Sequence, residues 1–378
     1  MKRVFFICDY SSPTNDRSLK VSVSGMTYSE YIKESLKKAS FDVTVLSTSM
    51  ASSKSYYSIK RVEEDNYEHH IYYPSFKDSK YKCLNYLNIL WMYMNIFLWV
   101  LYHIKRDDIL LIYHNNALSY FYKMFKFAHK GKIAFVVGEV FAAVYTEGEE
   151  KIKKEIERLS IADCYIFSND IMPQLFKKEK SSTVCYGSYE VVNKIIEKED
   201  DYVHIVYAGK IDSKYVKDAF MALETIQYLP SSYVLNIIGY GEVEDIILLK
   251  SRLAEINTKK GYDAVRFDGC LTGGELDNYY NKCDIGLCTR VLDNSISNYC
   301  FPSKTLSYLI HGITPVCPPL NNLRISKIAP MICFVQGELT AENVAKTILQ
   351  HKGSDICFKS ILNKLDETFV RDLKILFS

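Results

Sequence analysis

A chain of 378 residues is too long for one ordinary core and suits two domains. Its 48% hydrophobic and 24% charged residues are the balance of a soluble globular protein. The formal net charge of +2 sets up no strong field for nucleic acid or acidic membrane, and there is no basic stripe or aromatic RNA-binding motif.

The opening run Val4-Phe5-Phe6-Ile7-Cys8 is too short for a signal peptide and ends at Asp9, so it reads as a buried first strand. A polar loop, 9–24, follows. Thr27-Tyr28-Ser29-Glu30 has the form of a capping box and predicts a helix to about Lys38. A second strand is expected over 41–47, then a polar stretch with short extended pieces over 48–80. His69-His70 lies in that stretch with no partner at metal spacing and reads as surface.

Between Lys82 and Lys105 there is no Asp, Glu, Lys or Arg, and that length could span a bilayer. At 100° per residue, however, Asn85, Asn88, Asn95 and His103 fall in one sector, and a lipid-facing span should not carry a polar stripe. The reading is a core helix of the first domain. A helix on the membrane surface would suit a lipid-linked acceptor, but the segment lacks Lys and Arg. A true span ranks last. Strands over 108–113, 133–137 and 164–167, with a charged helix over 149–159, complete a β-α-β-α rhythm that predicts a parallel sheet covered on both faces.

Composition shifts to Lys, Glu and Asp over 191–201, which places a domain boundary there. A second series follows, with strands over 204–207, 233–238, 264–267, 284–288, 314–317 and 331–335 and helices between and after them. The expected domains are 1–195, 196–355 and a C-terminal helix, 356–378, crossing back to the first. The class is α/β, with two doubly wound Rossmann-like domains facing each other across a cleft and ligand bound beyond the carboxyl ends of the strands. No repeat or low-complexity tract is present. The 11 cysteines include no C-x-x-C pair, so they read as free thiols packed as small core residues rather than as a zinc site or disulfide framework.

Three segments of the second half carry chemistry. Tyr207-Ala208-Gly209-Lys210, with Lys214 and Lys217 after it, ends a strand in a glycine that admits a ligand and lysines that can meet a diphosphate. Gly239-Tyr240-Gly241 follows the next strand and could turn amides toward an anion. Pro302-Ser303-Lys304 opens a helix that Gly312 closes, so free amides and Lys304 form a cradle for an oxyanion. In the first half, His114 follows one strand and is the candidate base or sugar-hydroxyl ligand. Glu139 follows the next and could orient an acceptor or stabilise an oxocarbenium-like centre.

The run from Pro302 to Val316 resembles the signature of GT-B-fold glycosyltransferases of the family-4, group-1 type, "PSK-x-x-E-Y-x-x-x-G-x-P-V": Pro302, Ser303, Lys304, Tyr308, Gly312, Pro315 and Val316 match. Tyr207 to Lys210 is similar to that family's "Y-x-G-R/K", Gly239 and Gly241 to its "G-x-G", and Phe267-x-Gly269 and Cys283 to Leu287 to its "V-x-F-x-G … A-D-I-x-L". Ser24-Gly25 resembles its glycine-rich acceptor-side first loop, and Ile161-Ala162-Asp163 the strand before its interdomain crossing. The resemblance implies a UDP- or GDP-linked sugar as donor substrate, no further cofactor and no metal. It implies transfer with retention to a saccharide or lipid-linked glycan, in the cytoplasm or on the inner membrane face, in surface polysaccharide assembly. Donor contacts would come from Gly209, Lys210, Lys217, Gly239, Gly241, Ser303, Lys304 and Ser307. The sequence departs from the family where two glutamates spaced E-x7-E are common: Tyr299 and Ser307 stand there. The rival readings are therefore a non-catalytic GT-B-like partner or glycan-binding protein, and a nucleotide-sugar epimerase on the same fold.

Overall fold

The computed structural model describes residues 1–11, 19–52, 60–65, 68–176, 180–192, 200–214, 217–290, 294–351 and 358–378. The chain divides into two compact units. One comprises Met1–Ser188, Asn298–Phe301 and Asp366–Ser378, the other Tyr189–Ser297 and Pro302–Leu365.

The first unit carries the strands β1 (Arg3–Cys8), β2 (Leu19–Lys20), β3 (Asp42–Ser47), β4 (Met50–Ala51), β5 (Lys60–Asp65), β6 (Glu68–Tyr72), β7 (Ile109–Tyr113), β8 (Lys132–Val137), β9 (Cys164–Phe167) and β10 (Ser181–Val184). Eight form one sheet in the order β10-β9-β8-β7-β1-β3-β6-β5, parallel except for the antiparallel β5–β6 pair, while β2 pairs with β4. Its helices are α1 (Val23–Lys38), α2 (Lys82–His103), α3 (Tyr122–Ala128), α4 (Phe141–Val144), α5 (Glu149–Leu159) and α6 (Met172–Leu175). The central strands are apolar runs because both faces are covered: Val4, Phe6, Ile7 and Ile109 to Ile112 are fully buried.

The second unit has β11 (Val203–Ile211), β12 (Tyr233–Gly241), β13 (Val265–Phe267), β14 (Ile285–Leu287), β15 (Thr314–Cys317) and β16 (Cys333–Phe334), all parallel, in the order β13-β12-β11-β14-β15-β16. Between and after them run α7 (Asp218–Thr225), α8 (Val243–Lys260), α9 (Gly273–Tyr280), α10 (Asn294–Ser297), α11 (Ser303–Ile310), α12 (Asn321–Arg324) and α13 (Ala341–Gln350). The last helix, α14 (Phe358–Phe377), changes unit at Asp366. In the first unit, Phe369 stacks on Tyr31 at 5.9 Å, and Tyr31 donates to Asp366 at 2.7 Å.

Three expectations are corrected. The first long helix begins before the Thr27 capping box: Ser22 is its N-cap and accepts from the Gly25 amide at 3.4 Å, while Asp9 at the end of β1 accepts from Ser22 N–H at 2.9 Å. Ser24 and Gly25 are thus the first turn of α1 and not a loop. A Cβ on Gly25 would meet Ser22 only at ordinary contact distance, 3.4 Å, so no close approach requires this glycine. His69-His70 is not surface loop but part of β6, where His70 is fully buried against the Tyr10 ring at 4.7 Å.

The third concerns α2, whose polar stripe is split: Asn95 and His103 bond to their own helix at the Trp91 and Trp99 carbonyls (2.7 and 2.9 Å), while the other two members reach the preceding segment. Asn88 exchanges two hydrogen bonds with the main chain of Phe76 (2.9 and 2.6 Å), and Asn85 two with Ser79 (2.7 and 2.9 Å). Met92, Tyr93, Ile96 and Val100 join the core beside them. The asparagines therefore hold the protein's own backbone, and a face of large apolar side chains is left outward.

Candidate functional site

In the second unit the chain runs outward from β11 to β12 and β13, then returns to β14 on the other side of β11. The connections part there, and in an open α/β sheet that parting sets the ligand crevice at the carboxyl ends of β11 and β14. Gly209 lies on that end of β11 with φ of +152°, a conformation that side chains rarely adopt, and a Cβ on it would come 2.4 Å from Lys304 Nζ. The lysine thus passes through the space that the glycine leaves open.

Lys304 is held on three sides. Its ammonium donates to Tyr207 Oη and to Asp218 Oδ2, both at 3.1 Å, and stands 4.1 Å from the Tyr207 ring centroid. Asp218 is buried, and its main-chain carbonyl accepts from Thr289 Oγ1 at 2.8 Å. Tyr207 donates to the Lys210 carbonyl at 2.9 Å. Burial and then the Asp218 charge push the Tyr207 hydroxyl far above its ordinary pKa, so it remains a phenol. An ammonium has three donors, and two are occupied here, which leaves a fixed, part-exposed cation with one donor to offer.

The signature helix is tied to the sheet by its tyrosine. Tyr308 Oη accepts from Ala208 N–H at 3.1 Å and donates to the Leu287 carbonyl at 3.4 Å. Its ring fills the space over Gly286, where a Cβ would lie 2.3 Å from a ring carbon. One side chain thereby fixes α11 against both β11 and β14. The amides of Ser303 and Lys304 open α11 with no acceptor among the described residues, as helix N-termini leave them. Ser307, in the second turn, donates back to the Ser303 carbonyl at 3.3 Å.

Other expected donor contacts serve differently. Gly239 is not a free amide: its N–H donates to the Gly269 carbonyl at 2.7 Å. Gly239 and Gly241 are needed because β11 and β12 approach so closely there. A Cβ on the first would lie 1.9 Å from Gly209 O, and on the second 2.4 Å from Ile211 O. Lys210 is exposed but paired with Asp212 at 3.1 Å, whose hydrogen bond and charge raise its pKa. Lys217 is exposed at the N-cap of α7 with φ of +51°. Two residues were missed. Asp218 holds Lys304, and its position in the first turn after the Lys217 cap was the available signal. Arg290 is exposed just past β14, and its charge reaches Tyr207.

In the first unit, His114 is corrected from candidate base to buried brace. Its Nε2 lies 2.6 Å from Glu155 Oε1 and its Nδ1 2.7 Å from Tyr122 Oη. Burial holds the imidazole below its ordinary pKa against the pull of Glu155, so the ring is neutral, with Nε2–H donating to the carboxylate and Nδ1 accepting from Tyr122. Glu155 also accepts the Phe141 and Ala142 amides, each at 2.8 Å. Burial alone would raise the Glu155 carboxyl, but His114 and these amides outweigh it and hold it below its usual range. The network therefore shapes the turn after β8 that carries Gly138 and Glu139. Glu139 is half-buried, and its charge adds to the burial that raises the Tyr113 hydroxyl.

This brace makes the first unit acid-sensitive. The unfolded His114 takes up a proton near 6.5 and the folded ring does so only at lower pH, so stability falls as pH drops below about 6.5. Glu155 adds a second loss once the pH falls through its own lowered folded value. His114→Gln removes the first term, so its Tm should fall less steeply than wild type between about pH 7 and 5. His129, also held low by burial, keeps some slope in both proteins. Identical slopes would show that His114 titrates normally.

No protein-family model matches the sequence, and no curated protein matches it. Solved structures do. A trehalose-6-phosphate protein from E. coli bound with UDP-2-fluoro glucose aligns at TM-score 0.66 and 12% identity, over 98% of this chain and 96% of that one. The UDP-forming alpha,alpha-trehalose-phosphate synthase from Burkholderia xenovorans, in complex with glucose-6-phosphate, gives 0.66 and 10%, over 100% and 98%. The sucrose-phosphate synthase from Thermosynechococcus elongatus gives 0.63 and 11%, over 100% and 95%. The chain has the GT-B fold. At these identities the likeness is one of fold, with two Rossmann-like domains as expected. The crevice at β11 and β14 therefore lies in the second Rossmann-like domain of a GT-B protein.

Proposed function

We propose that this chain is a glycosyltransferase that moves a sugar from a nucleotide-sugar donor to a saccharide acceptor. The observation that carries this is Lys304, fixed over Gly209 by Tyr207 and buried Asp218 at the strand ends where the second sheet switches direction. When the bond between the sugar and the diphosphate breaks, negative charge grows on the leaving nucleoside diphosphate. A cation already in place, with the α11 amides beside it, stabilises that charge more than it stabilises the ground state. The GT-B neighbours, one bound with a UDP-sugar analogue and another named as UDP-forming, support a UDP-linked donor ahead of a GDP-linked one. Lys210, Lys217 and Arg290 supply further positive charge to the diphosphate. Glu139 and the first turn of α1 serve the acceptor, a saccharide or lipid-linked glycan. Transfer is with retention, in the cytoplasm, within surface polysaccharide assembly.

The second reading, a non-catalytic GT-B-like partner or glycan-binding protein that takes no nucleotide, is favoured by one pair of positions. Neither Ser307 nor Tyr299 has a carboxylate, and Ser307 spends its hydroxyl proton on its own helix while Tyr299 packs against the core of the first unit. A melting panel with UDP, GDP, CMP, dTDP and their sugars separates the readings, because a ligand bound only by the native state raises Tm by mass action. The transferase reading expects a clear rise with UDP and its sugars, larger still in Ser307→Glu, where a carboxylate adds a stronger acceptor for the ribose. No rise with any nucleotide, in wild type and variant alike, would leave the non-catalytic reading.

A further inference from the structure

With Asn85 and Asn88 turned to the preceding segment, α2 presents Leu84, Leu87, Leu90, Trp91, Leu98 and Leu101 to the outside, each between 42% and 60% exposed. Leucines and a tryptophan gathered on one helical face form a contiguous apolar patch, the kind of surface that marks an interaction site rather than scattered exposure. Cations flank the face at both ends. Lys80 and Lys82 stand at its start and Lys105 and Arg106 just past its end, all exposed and none in an ion pair among the described residues. Of the acids nearest the two ends, Asp78 is paired with Lys20 and Asp108 with Arg3, and Asp107 is exposed beside Arg106.

We infer that this face of α2 docks on a bilayer containing anionic lipid, with the helix lying in the plane of the headgroups. Crossing the bilayer is excluded, because Met92, Tyr93, Ile96 and Val100 on the opposite face belong to the core of the first unit. Lying flat, a helix of 22 residues extends about 33 Å. Its leucines and Trp91 then enter the acyl boundary while the lysine and arginine stems at either end reach lipid phosphates. Trp91 and Tyr102 have the amphipathic rings that settle at this depth. A second copy of the chain fits less well, since either direction of pairing would bring the same four cations against one another. The inference does not depend on the transferase reading, though a transferase held on a membrane would meet a lipid-linked acceptor there.

The test uses the full chain and vesicles of phosphatidylcholine with and without phosphatidylglycerol, read by flotation. The chain should float with the phosphatidylglycerol vesicles at least about tenfold more tightly than with phosphatidylcholine alone, and added salt should weaken it. In Trp99→Phe, which leaves Trp91 as the only tryptophan, its emission should shift to the blue on binding. Leu87→Glu/Trp91→Glu should abolish flotation with the Tm unchanged, because both side chains are exposed. Lys82→Gln/Arg106→Gln should weaken it about tenfold or more. No flotation with either vesicle, or equal flotation of the Leu87→Glu/Trp91→Glu variant, would overturn the inference. So would a wild-type dimer in sedimentation that the same double variant dissolves, since a second copy would then cover the face.

Discussion

Lys304→Met should lower nucleoside diphosphate release from the donor sugar on the order of 10²- to 10³-fold, the usual effect of removing one preorganised group that faces developing negative charge. The variant has a second consequence, because Lys304 is the cation against buried Asp218. Losing it leaves a carboxylate buried without its partner, which costs about 3 kcal/mol or more. Lost activity could then be mistaken for lost fold. Lys304→Met/Asp218→Asn separates the two: neutralising both members should return most of the Tm and none of the activity. A double variant that regains turnover would mean that Lys304 is a structural cation only. Full turnover in the single variant would remove the diphosphate from this crevice altogether.

Gly239→Ala should be the most damaging single methyl group in the second unit. The added Cβ falls 1.9 Å from the Gly209 carbonyl oxygen, and the obstacle is main chain rather than the end of a flexible side chain. Gly239 is paired directly with Gly209 across β11 and β12, so relief must come from spreading the two strand ends. Overpacking of this kind costs about 3 kcal/mol. The spread also moves Gly209 away from Lys304, so donor affinity should fall together with Tm. An unchanged Tm with donor binding intact would show that β11 and β12 do not close as tightly as described.

Much of this fold can be read from residue order, and the reason is physical. Strands buried on both faces must be apolar throughout, so Val4 to Cys8, Ile109 to Tyr113 and Ile133 to Val137 stand out from the polar segments around them. The helix at Ser303 to Ile310 is legible for another reason. Pro302, Lys304, Tyr308 and Gly312 each do a job that few other residues can do, and their spacing follows from one short helix. What stayed hidden depends on partners far away in the chain. His114 looks like an available imidazole at a strand end until Glu155, 41 positions later, takes one ring nitrogen and Tyr122 the other. Asp218 does not stand out among neighbouring lysines because its function is visible only with Lys304, 86 positions on. Asn85 and Asn88 mislead for the same reason. A polar stripe shows that a helix face meets hydrogen-bonding groups, and only the fold shows that they are the main chain of Phe76 and Ser79.

The central claim is that the fixed Lys304 receives a nucleoside diphosphate, and calorimetric titration of UDP into the wild type and into Lys304→Met/Asp218→Asn tests it most directly. The variant should keep the crevice folded while removing its cation and counter-charge. Wild type should bind UDP, and the variant should bind it at least about tenfold more weakly, as expected when a charge-assisted contact is lost. Equal affinity in the two proteins, or no binding by either, would contradict the account.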